Sequence, residues 1–203
     1  MSELCIMIIE DSEKHAAGIK NSYEKMIRNM EEKGFLKEHF ISEKIYVEWL
    51  KGKKKETERN GEVYWFYDES IYREIEEKIA ENEKKNICTG ILLDVALSKE
   101  EYDKASLNDY FDFKIAKEIY RRYSEQAKIY VITSIREFSA RVLSLMGTKD
   151  LIQRYVSKDL VTEYPSYGAM ARTIWYMEEG EEIFNDERLD QREDEVEEFF
   201  ENI

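Results

Sequence analysis

The sequence predicts an α/β domain built on a parallel sheet with helices on both of its faces. Short continuous apolar runs, such as CIMII at Cys5 to Ile9, are bounded by polar residues, as in strands buried on both sides. Between these runs lie stretches whose apolar residues recur at helical spacing. The two patterns alternate five times along the chain. Parallel strands need crossovers of this kind, and those crossovers are right-handed.

Taken in order, CIMII is strand one. Ser12 caps a helix from Glu13 to about Lys33, with Ala16, Ile19, Tyr23, Met26, Ile27 and Met30 on one face and Gly34 as its stop. From Ser42 to Leu50 the β-rich EKIYVEW leads through a lysine-rich stretch and Asn60-Gly61 to EVYWFYD, two strands around a hairpin-like turn. Lys51 and Lys53 to Lys55 are read as a solvated hairpin tip. Asp68 or Ser70 starts a helix through about Glu83, and Ile87 to Leu93 makes a buried strand that Asp94 ends. Helical spacing returns within Asn108 to Ser124, through Phe113, Ala116, Ile119 and Tyr120. KIYVIT, residues 128–133, is the next strand, Glu137 to Met146 a helix, and QRYVSKD a short strand before Lys158. Tyr167 to Met177 is the last helix, its start marked by Pro165 and Ser166.

At 203 residues the chain fits one large domain with a core of ordinary size. A net charge of −14 argues against nucleic acid and against anionic membranes, and favours a protein or a cation as partner. No apolar run approaches the roughly 20 residues of a membrane span, and CIMII is too short for a signal peptide. The chain is therefore read as cytoplasmic. In that compartment Cys5 and Cys88 are two small buried apolar residues rather than a disulfide. His15 and His39 have no cysteine or carboxylate at zinc-ligand spacing, so neither a zinc site nor a catalytic triad is expected.

Ligands of parallel sheets bind beyond the carboxyl ends of the strands. Strand one ends in Glu10-Asp11, the third in Asp94, the fourth in Thr133-Ser134, and the fifth just before Lys158. In TGILLDVALS, Thr89 to Ser98, a single carboxylate breaks an apolar run. Burying it is costly unless it is paired or metal-bound. Three carboxylates in one cleft repel and raise each other's pKa, which calls for a divalent cation. Mg²⁺ suits them, as a hard ion that takes oxygen ligands at about 2.0–2.1 Å and keeps several waters.

This set, Glu10-Asp11, Asp94, Thr133 and Lys158, each at its strand end and in order, resembles a response-regulator receiver domain over about residues 3–178. The resemblance implies a flavodoxin-like, doubly wound, five-stranded parallel sheet of order 2-1-3-4-5, here with a hairpin-like extension at strand two. It also implies Mg²⁺-dependent phosphorylation of the central aspartate by a histidine kinase, a phosphotransfer protein or a small phosphodonor, as in two-component signal transduction and phosphorelays. Carried over, Asp94 is the phosphoacceptor, Asp11 binds Mg²⁺ directly, Glu10 binds it through water, and the backbone carbonyl of Ala96 is a further ligand. Thr133 hydrogen-bonds a phosphoryl oxygen, Lys158 pairs with another, and Tyr155 stands at the aromatic switch position. Ser98 and Asp159 replace prolines common in the family, the loop at 98–110 is long, and the small Ala96 leaves the site open.

The expected organisation is a receiver-like domain at residues 1–178, with insertions at about 50–67 and 98–110, and an acidic tail or helix at 179–203. The tail has no basic recognition helix, hence no DNA-binding output. Its Leu189, Val196, Phe199 and Phe200 form the apolar side of an interaction helix, or else the segment is a solvated tail. The expected function is a receiver-type signalling protein that acts on a downstream protein partner and is not a dedicated enzyme. The alternative is a phosphorylation-independent pseudo-receiver, an interaction or dimerisation module, and a homodimer stays open. A haloacid-type phosphatase needs an aspartate where Ala96 stands. No GxxxxGK[ST] is present for a nucleotide switch, and EDSEK after strand one would repel a flavin phosphate.

Overall fold

The computed structural model describes residues 2–10, 12–59, 62–94, 118–133 and 155–203, with the backbone alone for 54–67 and 133. Strand β1 (Glu3–Ile9) is central because both of its faces are apolar. Leu4, Ile6 and Ile8 enter one cluster, Cys5, Met7 and Ile9 the other, and all are buried. It pairs in parallel with β2 (Lys44–Trp49) and, further along the chain, with Ile87–Asp94.

Helix α1 (Glu13–Glu32) follows β1 directly. Ser12 Oγ accepts the amide of His15 at 3.3 Å, and the buried face is Ala16, Ile19, Tyr23, Met26, Ile27 and Met30. Each such large apolar side chain, fully buried, contributes about 1.5–3 kcal/mol. Gly34, at φ 80°, turns the chain into the short α2 (Phe35–His39), a left-handed backbone that favours glycine.

Beyond β2 come β3 (Lys54–Arg59) and β4 (Glu62–Tyr67), a separate antiparallel pair. This corrects the reading of the lysine run. The aromatic β4 takes as its partner β3, the segment just before it in the chain, and not β2. KKETER is therefore a hairpin strand and no tip. Lys54 pairs with Tyr67 at the open end, where the amide of Asp68 also reaches the carbonyl of Lys53 at 2.6 Å.

Helix α3 (Ser70–Lys84) starts where Asp68 Oδ1 accepts the amide of Ser70, and buries Ile71, Ile75 and Ile79. Strand β5 (Ile87–Asp94), helical residues 118–123, β6 (Lys128–Thr133) and β7 (Tyr155–Ser157) follow. The sheet is all parallel, ordered β2-β1-β5-β6-β7, which counted within the sheet is 2-1-3-4-5, the flavodoxin-like arrangement. The readings at Phe113, Ala116, residues 98–110 and 137–146 lie outside the described residues.

The chain then forms α4 (Asp159–Thr162), α5 (Tyr167–Glu179), a 3₁₀ turn (Gly180–Asn185) and α6 (Leu189–Glu201). α1 and α5 cover one face of the sheet, joined by a 2.7 Å hydrogen bond between Tyr23 and Thr173. α3 and residues 118–123 cover the other. A Cβ at Gly90 would lie 2.3 Å from Met177 Sδ, so glycine there lets α5 settle on β5. The acidic segment packs on α5. Val196 is fully buried, Phe200 stacks on Tyr167 at 3.8 Å, and Glu193 pairs with Arg172 at 2.9 Å. Among the described residues no helix is long and apolar enough to cross a membrane.

Candidate functional site

Register decides which side chains meet at the carboxyl edge. Ile9 pairs with Leu93, so Glu10 emerges beside Asp94. Asp94 pairs with Ile132, and Ile132 with Val156, which brings Lys158 to the same face two residues on. There α4 begins, and the Lys158 carbonyl accepts the amide and hydroxyl of Thr162, both at 2.9 Å.

The three side chains converge. Lys158 Nζ lies 2.5 Å from Glu10 Oε2 and 2.8 Å from Asp94 Oδ1, and the side chains are only 6%, 0% and 4% exposed. Ammonium–carboxylate hydrogen bonds of this length are the strong, charge-assisted kind. Burial works against the charged amine, but Asp94 and then Glu10 outweigh it and hold the Lys158 pKa above its ordinary value. Glu10 is further fixed by the amide of Ser12, which donates to Oε1 at 2.9 Å, and its carbonyl accepts the indole N–H of Trp49 at 3.1 Å. Exposed His15 stands 3.8 Å from the same Oε1.

Of the residues expected at the site, Glu10, Asp94 and Lys158 are brought together. Thr133 ends β6 beside Ser157, its side chain lying outside the description, as do Asp11 and Ala96 entirely. Tyr155 opens β7, half-buried against the α3-side cluster. Two features escaped the sequence reading. Trp49 reaches Glu10 because Ile8 pairs with Trp49, a register that strand composition does not reveal. The Ser157 hydroxyl, next to the lysine, is buried and among the described residues finds no hydrogen-bond partner. Glu10, to which the resemblance gives a water-mediated metal contact, touches the lysine directly.

Among the described residues no three His, Cys, Asp or Glu side chains cluster closely enough to hold a metal ion. Glu10 and Asp94 still have the donor chemistry of a magnesium site. Both are hard oxygens within contact of one ammonium, and Mg²⁺ is usually held by one or two carboxylates, with waters and substrate phosphate completing its shell. Both cysteines are free, and Cys88 is exposed rather than buried, a correction of the sequence reading. It sits at the amino-terminal start of β5, and since Leu4 pairs with Cys88 and Cys5 with Thr89, the two thiols fall on opposite faces. No protein-family model, no curated protein and no solved structure matches the chain.

Proposed function

We propose that the chain is a receiver-type signalling protein, phosphorylated on Asp94 in a Mg²⁺-dependent reaction and acting through protein–protein contacts. The observation that carries this reading is the buried contact of Lys158 with Asp94 and Glu10 at the carboxyl edge of a 2-1-3-4-5 sheet. An Asp94 carboxylate oxygen attacks phosphorus of a phosphohistidine or an acyl phosphate. The new O–P bond makes an aspartyl phosphate, and the donor's P–N or P–O bond breaks with its electron pair leaving on the donor. Lys158 offers N–H donors to charge growing on the phosphoryl oxygens, and Trp49 and Ser12 keep Glu10 in place. Glu10 and Asp94, with Asp11 from the same sequence pair, would hold Mg²⁺, which when bound neutralises negative charge on the donor phosphate.

A histidine kinase or phosphotransfer protein is the donor and a second protein the recipient of the signal. Phosphorylation adds about −1.5 to −2 charge where Lys158 now serves two carboxylates. Tyr155, half-buried three residues before the lysine, is the side chain assigned to relay that change. The alternative, a phosphorylation-independent pseudo-receiver, draws on the same triad, because its contact with both carboxylates gives Lys158 a structural role of its own. Intact mass after incubation with acetyl phosphate and Mg²⁺ separates the two. One phosphoryl adduct, lost in Asp94→Asn and with chelator, supports the proposal, and no adduct on the folded chain supports the pseudo-receiver.

A further inference from the structure

β2 is the outermost strand on its side of the sheet, and among the described residues no strand pairs with its outer edge. Such an edge offers a row of backbone donors and acceptors to another strand. Which residues offer them follows from the ladder to β1. At the end of the ladder the amide of Leu50 donates to the carbonyl of Ile8 at 3.1 Å, so even-numbered residues of β2 direct their backbone groups inward, and Ile45 and Val47 direct theirs outward.

We propose that this edge joins two copies of the chain, β2 running antiparallel to β2 of the second copy about a twofold axis at Tyr46. Only registers that set outward residues opposite outward residues form hydrogen-bonded pairs. The one centred on Tyr46 also sets Lys44 opposite Glu48 of the second copy, twice over. Shifting by two residues in either direction sets Lys44 against Tyr46 or Leu50 and loses both ion pairs. A parallel pairing sets like charges side by side, which is destabilising. The edge is thus complementary to itself in one arrangement, through backbone parity and charge together.

The side chains are already held for it. Glu48 is gripped by Lys78 at 2.7 Å, the Tyr46 hydroxyl donates to Glu3 at 3.0 Å, and Lys44 lies over the Tyr46 ring at 4.8 Å. Preorganisation of this kind lowers the ordering cost of association. Ile45 and Val47 stay buried against α1, so the contact demands no exposure of core. On the α3 side Tyr46 and Glu48 border a cavity of about 390 Å³ with Lys78 and Asn82. Lys44 and Tyr46 of the second copy would close over its mouth.

Sedimentation equilibrium of the full chain, without phosphodonor, tests this apart from the proposed phosphorylation chemistry. The expected mass is twice that of one chain at high concentration. Lys44→Glu places like charges opposite each other in both pairs and is expected to weaken association about tenfold, and adding Glu48→Lys restores it. Tyr46→Cys in a Cys88→Ser background, oxidised, is expected to give a covalent dimer, because directly opposite residues in a non-hydrogen-bonded antiparallel pair have Cα atoms about 4.5 Å apart, within disulfide range. A chain monomeric at every concentration, a dimer indifferent to Lys44→Glu, or the absence of the disulfide would each overturn the proposal. Lys44 is exposed, so a folding defect is not expected to mask its effect.

Discussion

Lys158 and Lys78 each lie between two carboxylates, in settings that differ. Lys158 meets Glu10 and Asp94 at the ends of strands, where all three side chains are nearly sealed from water. Lys78, on α3, meets Glu48 of β2 at 2.7 Å and Glu81 at 3.6 Å, with 18% of its own side chain and 43% and 48% of its partners' exposed. In both cases burial opposes the ammonium and the neighbouring carboxylates overcome it, so both pKa values lie above the ordinary lysine value. What separates them is the substitute available if the lysine is lost. Water can replace Lys78, whereas at Lys158 two buried carboxylates would face each other. One arrangement clamps a helix to a strand, and the other stores charge at the edge of the sheet where ligands of this fold bind.

The largest expected effect is at that edge. Lys158→Met is expected to cost about 3–5 kcal/mol in urea unfolding, as when one partner of a buried ion pair is removed. Lys78→Met, on the half-open clamp, should cost about 1 kcal/mol or less. Equal losses would erase the distinction. The alkaline side sharpens it. Because the folded Lys158 pKa is raised above 10.5, its stabilisation is complete below that pH and lost as pH climbs through the folded value. The stability gap between wild type and Lys158→Met should therefore hold to about pH 10.4 and then narrow in unfolding curves at higher pH. Trp49→Phe removes one N–H donor from the Glu10 carbonyl and is expected to cost about 1 kcal/mol, read by the same unfolding curves. Smallest is the effect of salt. With a screening length of about 3 Å at 1 M, the Lys78–Glu48 coupling in a double-mutant cycle should shrink, and the Lys158–Asp94 coupling should change much less.

Much of this architecture was legible in the sequence. The buried face of α1 was read residue by residue, and β6 and the end of β5 at Asp94 emerged from apolar runs that stop at polar residues. Strand ends in order also located Glu10, Asp94 and Lys158, because parallel topology fixes which ends come together. Their pairing was not legible. The contact of Glu10 with Lys158 depends on a register across four strands, and periodicity carries no register. The lysine run misled because charge pointed to a solvated tip, while the need of the aromatic β4 for a partner made it a strand. α6 stayed open between helix and solvated tail because Leu189, Val196, Phe199 and Phe200 are scattered among acids, and the face they dock on, Tyr167 and Phe35, lies far away in sequence. Cys88 looked buried by its strand, yet it sits at the strand's exposed start.

The most direct test of the phosphoacceptor assignment is to trap the acyl phosphate. After acetyl phosphate and Mg²⁺, borohydride reduces an aspartyl phosphate at its carbonyl carbon, phosphate leaves, and the residue becomes homoserine, which peptide mass mapping locates. The expected result is homoserine at position 94, absent when Mg²⁺ is withheld. Homoserine at another aspartate, or none on a folded chain that still carries the Lys158–Asp94 contact, would contradict the assignment.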